Sequence, residues 1–340
     1  MTQEQLVVVW RVYEPCNLGC NFCGYSREVA RKRHVVRPEV ILKFGQTLSE
    51  FQQKTGKQVL VSWLGGEPLL WKELPAISRV YHHDLGIKLG VTTNGTVLDR
   101  ESVRTSLINH YSLVTVSIDG FASFHDVQRG EIGLFDKLRR SINLLIKETS
   151  AGNRSLRLRV NTILMRKNIH AFEAFCMEIA SWGVQELTFN QLGGIDRPEF
   201  YPDNRILPEQ AAWLAEALPA IQKKAHAAGL KVFGTKQYLE RFFATSRDIA
   251  LAIEDCNPGR NFLFIDEQNR VSPCNFTTEG YGIPLAQIED VNLLTNVTER
   301  FRYKQRYERA APCNNCMSTQ VFEKFNQEVN LADESVRNQG

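Results

Sequence analysis

The sequence predicts an α/β protein: a partial (β/α)6 TIM-type barrel followed by a small C-terminal module. Short apolar runs of strand length alternate six times with longer stretches, the rhythm of parallel β-α units. Cysteine, glycine and carboxylate residues gather just after the predicted strands, where a barrel of this kind keeps its reactive groups. Beyond Asp255 the helical period stops and turn residues multiply, which marks a second kind of structure.

Leu6 to Val12 is the first strand, and a cysteine-rich loop follows it. Pro38 opens a helix whose apolar face is Val40, Ile41, Phe44, Leu48 and Phe51, spaced three to four apart. Val59 to Trp63, Lys88 to Thr92 and Leu113 to Ile118 are the next three strands, with a helix near Leu134 to Ile146. Leu156 to Leu164 is the fifth strand, His170 to Trp182 a helix, and Glu186 to Phe189 the sixth strand. Gly193 to Leu207 has neither period and holds two prolines, so it is expected as an ordered loop over the barrel mouth. Pro208 to Ala228 reads as a helix, with a kink expected at Pro219. The divisions are thus a barrel over 1–200, a helical connection over 201–250, a module over 251–325 and a polar tail over 326–340.

Composition excludes several classes. Among 340 residues, 43% are hydrophobic and 23% charged, as in ordinary globular domains, and a formal charge of +3 gives no argument for nucleic acid or membrane binding. No run reaches the length of a membrane span. Eight cysteines without a secretion signal point to a reducing compartment, the cytoplasm, and to metal ligation rather than disulfides.

Three of those cysteines, Cys16, Cys20 and Cys23, lie on one short loop with three and then two residues between them. Three thiolates can converge on one soft metal centre but supply no fourth ligand, so one metal position stays open. The second strand is followed by Leu64-Gly65-Gly66-Glu67-Pro68, where paired glycines allow close backbone approach and Glu67 offers an acceptor for an ammonium. Together the two motifs resemble the radical S-adenosylmethionine (SAM) superfamily, in which a [4Fe-4S] cluster on three cysteines binds SAM at its open iron. Thr92-Thr93-Asn94-Gly95, Val116-Ser117-Ile118-Asp119-Gly120 and the group His125, Asp126 and Arg129 resemble stretches of members that carry SPASM or twitch modules. By that resemblance Gly65, Gly66, Glu67, Ser117 and Asn161 face SAM, and Phe22, with Tyr25, packs on its adenine.

Four more cysteines remain: Cys256, Cys274, Cys313 and Cys316, separated by 17, 38 and 2 residues. Phe264 to Cys274 reads as a hairpin that turns at Asn269, a residue tolerant of positive φ. The layout resembles the twitch module, which holds one auxiliary [4Fe-4S] cluster; a four-cysteine zinc site is the competing occupant. Four thiolates would leave no iron open, which suits electron transfer. Cys176, beside Phe172, Phe175 and Ile179, is a core residue.

The resemblance implies reductive cleavage of SAM to a 5′-deoxyadenosyl radical and oxidation of a small-molecule substrate, with the auxiliary cluster accepting an electron. It also implies a flavodoxin- or ferredoxin-type reductant, and no nucleic acid or membrane partner. A peptide-modifying maturase that forms thioether or carbon–carbon crosslinks is the alternative reading, and a non-enzymatic iron–sulfur or zinc-binding protein a remote one. His125, Asp126 and Arg129, and on the mouth loop Asp196 and Glu199, are the acid–base candidates, with Arg129 and Arg197 as anion anchors.

Overall fold

The first strand, β1 (Gln5–Tyr13), alternates buried and half-buried residues along its whole length. Leu6, Val8, Trp10 and Val12 form its buried row, and Trp10 packs edge-on against Phe44 of the helix Pro38–Thr55 at 5.7 Å. The other row carries Arg11 into the barrel interior, where it lines a large cavity. The structure, a computed structural model, describes residues 4–324 apart from Asn153. The predicted tail over 326–340 lies outside the described residues.

The following strands are β2 (Gln58–Gly65), β3 (Lys88–Thr93), β4 (Leu113–Ser117), β5 (Arg157–Leu164), β6 (Glu186–Gln191) and β7 (Lys231–Val232). Each pairs in parallel with its predecessor, as a partial barrel requires. The six predicted strands are all present. β7 is an addition: two residues, paired through Glu186↔Lys231 and Leu187↔Val232, are too few to carry a sequence period.

The C-terminal segment adds β8 (Phe262–Ile265), β9 (Arg270–Ser272) and β10 (Ile283–Pro284). It joins the same sheet, whose order is β10-β9-β8-β1-β2-β3-β4-β5-β6-β7. β8 pairs in parallel with β1 from Val7↔Phe262 to Trp10↔Ile265, so the first strand is an inner one. β8 and β9 form the expected hairpin, with Asn269 at φ 61°. The Asp266 carboxylate holds the turn by accepting from the backbone N–H of Gln268 (3.0 Å) and Arg270 (2.8 Å).

The helices cover the outer face of the sheet. Pro38–Thr55 buries Ile41, Phe44, Leu48 and Phe51 and stops at Gly56, whose φ of 71° closes the last turn. Leu134–Ala151 and Phe172–Ser181 match the expected helices, and Cys176 is fully buried in the second. Pro208–Ala227 runs on through Pro219, which is exposed, so water can satisfy the carbonyl its ring leaves unpaired. Glu101–His110 and Ala122–Arg129 are helices that no apolar period announces: the first buries only Arg104 and Leu107, the second only His125, Asp126, Gln128 and Arg129. Within the mouth loop Tyr201–Asn204 forms one helical turn. Among the described residues no helix is long and apolar enough to cross a membrane.

Candidate active site

Cys16, Cys20 and Cys23 lie on the loop that leaves the C-terminal end of β1. The loop is pinned from several sides. Asn21 N–H donates to the Gln128 carbonyl at 3.1 Å, and Arg27 N–H to the Leu18 carbonyl at 2.9 Å. Gly130 packs so closely on Gly19 that an added Cβ would meet its carbonyl oxygen at 3.1 Å. Cys16 Sγ accepts from Asn94 Nδ2 at 3.7 Å, and Cys23 Sγ from Tyr25 N–H at 3.3 Å. Burial pushes the Cys20 thiol up to about 12 and raises those of Cys16 and Cys23. A cationic centre reverses that penalty, because a ligating thiol is deprotonated outright.

Gly65 and Gly66 pack closely on the backbone that leaves β1. A Cβ at Gly65 would meet the Tyr13 carbonyl oxygen at 2.0 Å, and one at Gly66 that of Glu14 at 2.1 Å. The close approach the glycines permit is to Tyr13 at the end of β1 and to Glu14, two residues before Cys16. The Glu67 carboxylate is wholly buried and accepts three bonds: Leu69 N–H (3.0 Å), the Thr93 hydroxyl (2.7 Å) and Asn94 N–H (2.6 Å). Burial raises its pKa to about 7 against those three donors. It fixes the loop after β3, and through it Asn94 against Cys16.

Two of the acid–base candidates are buried and hydrogen-bonded within the protein. His125 is completely buried; its Nδ1 accepts from Asp119 N–H at 3.1 Å, and burial lowers its pKa to about 4. The Asp126 carboxylate accepts from the N–H groups of Gly133 (2.7 Å) and Phe135 (2.9 Å), at the start of the helix Leu134–Ala151. Neither lines the large cavity that Arg11 borders. Arg129 stands beside the cysteine loop: its Nε donates to Asp119 at 2.7 Å, and its guanidinium lies 5.2 Å over the Phe22 ring. Glu199 and Arg197 pair with each other.

Ser117 and Asn161 face each other across β4 and β5 and are half-buried. Asn161 Oδ1 accepts from Thr188 and from Asn190 Nδ2, both at 2.9 Å. Asn190 Oδ1 in turn accepts from Lys324 Nζ at 2.8 Å. The direction of this chain leaves the Asn161 amide N–H groups as its outward donors. Lys324 and Asn190 carry no motif, and sequence reading misses them.

The other four cysteines come from three separate stretches, Cys313 and Cys316 sharing one, and border one cavity of about 310 Å³. Each sulfur has its own polar neighbour. Gln305 Nε2 donates to Cys256 at 3.4 Å and Ser318 N–H to Cys316 at 3.4 Å. The Thr277 hydroxyl lies 3.3 Å from Cys274, and that of Tyr281 3.6 Å from Cys313. Arg241 clamps the last pair, donating to the Asn315 side chain (2.7 Å) and the Cys316 carbonyl (3.1 Å). Burial pushes Cys256 and Cys316 up to about 11. Among the described residues no three His, Cys, Asp or Glu side chains are grouped so as to hold a single metal ion. Four thiols around one cavity, each beside a hydrogen-bond donor, could hold either a sulfide-bridged cluster or one zinc ion.

Between the two sets lies a cavity of about 1170 Å³. Cys23 and Phe22 border it on one side; Asn275, Phe276, Pro312 and Met317, neighbours of Cys274, Cys313 and Cys316, border it on the other. Arg11 spans the wall, 4.7 Å over the Tyr25 ring and 3.1 Å from Glu267. The mouth loop contributes Ile195 and Asp196, and the Asp196 side chain packs against Gly24.

Residues 10–173 match the Radical SAM superfamily. An Fe-coproporphyrin III synthase of Methanosarcina barkeri is 31% identical over 138 residues, 40% of this chain and 33% of that protein. A S-adenosylmethionine-dependent nucleotide dehydratase of a Fibrobacter species is 24% identical over 213 residues, 59% of this chain and 61% of that protein. The matches thus span between a third and three fifths of these relatives. Streptococcus suis SuiB bound to S-adenosylmethionine shares the fold, with a TM-score of 0.65 at 14% identity over 93% of this chain and 72% of that one.

Proposed function

Since residues 10–173 form a radical SAM domain, we propose that the chain is an oxidoreductase that uses SAM to oxidise a small molecule and passes the second electron to an auxiliary cluster. The supporting observation is the single cavity bordered by Cys23 and by the neighbours of Cys274, Cys313 and Cys316. A substrate lying there has the radical source on one side and an electron acceptor on the other.

Cys16, Cys20 and Cys23 would hold the first [4Fe-4S] cluster, and Cys256, Cys274, Cys313 and Cys316 the second. When bound, the first cluster and SAM supply a 5′-deoxyadenosyl radical, the species able to take hydrogen from an unactivated carbon. The protein positions and excludes. Asn161 and Ser117 offer polar groups to SAM from the barrel interior, Phe22 offers a flat wall, and the Gly65–Gly66 backbone brings β2 against the end of β1. Arg11, stacked on Tyr25 and paired with Glu267, holds the barrel and the C-terminal segment at a fixed separation.

Substrates that fit this reading are small molecules, as the names of the coproporphyrin synthase and the nucleotide dehydratase it resembles indicate for those proteins. A second reading, modification of a peptide, is favoured by the cavity's size and by exposed Ile195 and Ile249 at its rim. The test is anaerobic reconstitution, measurement of 5′-deoxyadenosine, and mass spectrometry of products from small-molecule and peptide candidates. Failure to cleave SAM with both clusters loaded would end the proposal.

A further inference from the structure

Two arginines grip the turn Cys313-Asn314-Asn315-Cys316, and they do so in the same way. Arg241 comes from the helix Lys236–Ser246, and Arg309 follows the helix Val297–Tyr307. Each takes one asparagine side chain and the carbonyl of the neighbouring cysteine. Arg241 donates from Nη1 to Asn315 Oδ1 (2.7 Å) and to the Cys316 carbonyl (3.1 Å). Arg309 donates from Nε to Asn314 Oδ1 (2.8 Å) and from Nη2 to the Cys313 carbonyl (3.1 Å). Their other bonds also go to neutral acceptors: the Thr245 hydroxyl (2.9 Å) and Ile249 carbonyl (3.4 Å) for Arg241, the Ile253 carbonyl (2.8 Å) for Arg309.

Neither guanidinium has a carboxylate within ion-pair distance among the described residues. The acids close to them in sequence are engaged elsewhere: Asp248 pairs with Arg205 at 2.7 Å, Glu308 with Lys304 at 3.4 Å, and exposed Asp255 accepts from Asn257 N–H at 2.7 Å. Arg241 is only 2% exposed, and a cation taken out of water without a counter-charge is costly. Burial lowers its pKa, and the strongest opposing pull comes from the Cys316 sulfur. The arginine beside the trio differs on this point, since Arg129 is paired with buried Asp119 at 2.7 Å.

We infer that Arg241 and Arg309 are the counter-charge of the loaded quartet and raise its reduction potential. The inference rests on the proposed function, in which the quartet takes one electron from the substrate radical. The radical is oxidised by one electron as the quartet is reduced by one, and the substrate's proton passes to water. Four thiolates outweigh the charge of an iron–sulfur core, so the loaded quartet is an anion, and an added electron makes it more so. Two fixed cations at the turn that carries half of its ligands stabilise the reduced state more than the oxidised one. Hydrogen bonds to the backbone and to Asn314 and Asn315 keep both charges in place without cancelling them.

The experiment is a redox titration of the reconstituted full chain followed by electron paramagnetic resonance. The trio's signal is the one that added SAM alters, because only the trio leaves an iron open, and it serves as the internal reference. In Arg241→Gln and in Arg309→Gln, reduction of the quartet should become about tenfold less favourable, a drop of about 59 mV for one electron, while the trio's potential stays the same. Arg241→Lys and Arg309→Lys keep the charge without the fork and should stay near the wild type. Should Arg241→Gln fail to load iron, Asn315→Asp keeps the acceptor, cancels the charge in place and must show the same fall. Unchanged quartet potentials in the Gln variants overturn the inference, as does an equal fall in the Lys variants, which would make the arginines a clamp alone. Either result leaves the functional reading standing. Zinc in the wild-type quartet would overturn this inference together with the electron-acceptor role in that reading.

Discussion

The two cysteine sites solve one problem in opposite ways. The N-terminal trio comes from eight consecutive residues, and its geometry is imposed by neighbours: Asn94 on Cys16, Arg129 and Gly130 behind Cys20, and Glu67 holding Asn94 in place. The C-terminal quartet is drawn from three stretches between Cys256 and Cys316, each sulfur with a donor of its own. A local ligand set leaves a position for an exogenous molecule. A dispersed and complete one ties segments together and leaves none, which suits an electron relay.

The harshest way to break the comparison is to remove each set in turn. Replacing Cys16, Cys20 and Cys23 by Ala should lower bound iron by about four per chain and abolish SAM cleavage. Iron analysis and 5′-deoxyadenosine release are the measurements. Replacing Cys313 and Cys316 by Ala should leave SAM cleavage standing while net substrate oxidation collapses, because the substrate radical loses its acceptor. Full product formation with the second cluster absent would reduce the quartet to a structural role.

A smaller effect separates the surroundings of the two sites. His125, on the shoulder of the trio, has a native pKa of about 4 against 6.5 unfolded. Between these values the unfolded chain binds the proton and the native one does not. Stability therefore rises with pH across that window and is lost as pH falls through it, by about 3 kcal/mol at pH 4. His125→Gln keeps an acceptor for Asp119 N–H and should flatten the pH dependence of the thermal midpoint; an unchanged profile would exclude His125 as its source. The smallest effect lies on the quartet's side. Asn269 holds φ 61° with a buried, unpartnered Oδ1, so Asn269→Gly should stabilise by about 0.5–1 kcal/mol, read as a raised thermal midpoint.

The contrast also explains what the sequence could reveal. The trio was legible because its ligands and their spacing are local, and the six strands because each carries its own apolar run. The hairpin at Asn269 was legible from turn chemistry. The sharing of one sheet by barrel and C-terminal segment was not, since the Val7↔Phe262 register depends on two apolar strands that match equally well to other neighbours. Nor was the burial of His125 and Asp126. A polar pair after a strand reads as chemistry, and only the packing around Phe135 and Asp119 turns it into helix capping and core. Lys324 escaped because its partner, Asn190, is a strand residue with no motif around it.

The position of β1 inside the sheet has a consequence in time. Its partner β2 is made within some fifty residues, but β8 arrives only at Phe262. Closing the longer loop costs roughly 1–2 kcal/mol more. At about 5–20 residues per second, synthesis leaves one edge of β1 waiting for tens of seconds. The trio is complete when Cys23 leaves the ribosome, the quartet only with Cys316. Metal delivery to a growing chain therefore meets an open three-thiol site long before the closed one exists. A chaperone or scaffold that shields the bare edge of β1 would also be shielding the loop that follows it.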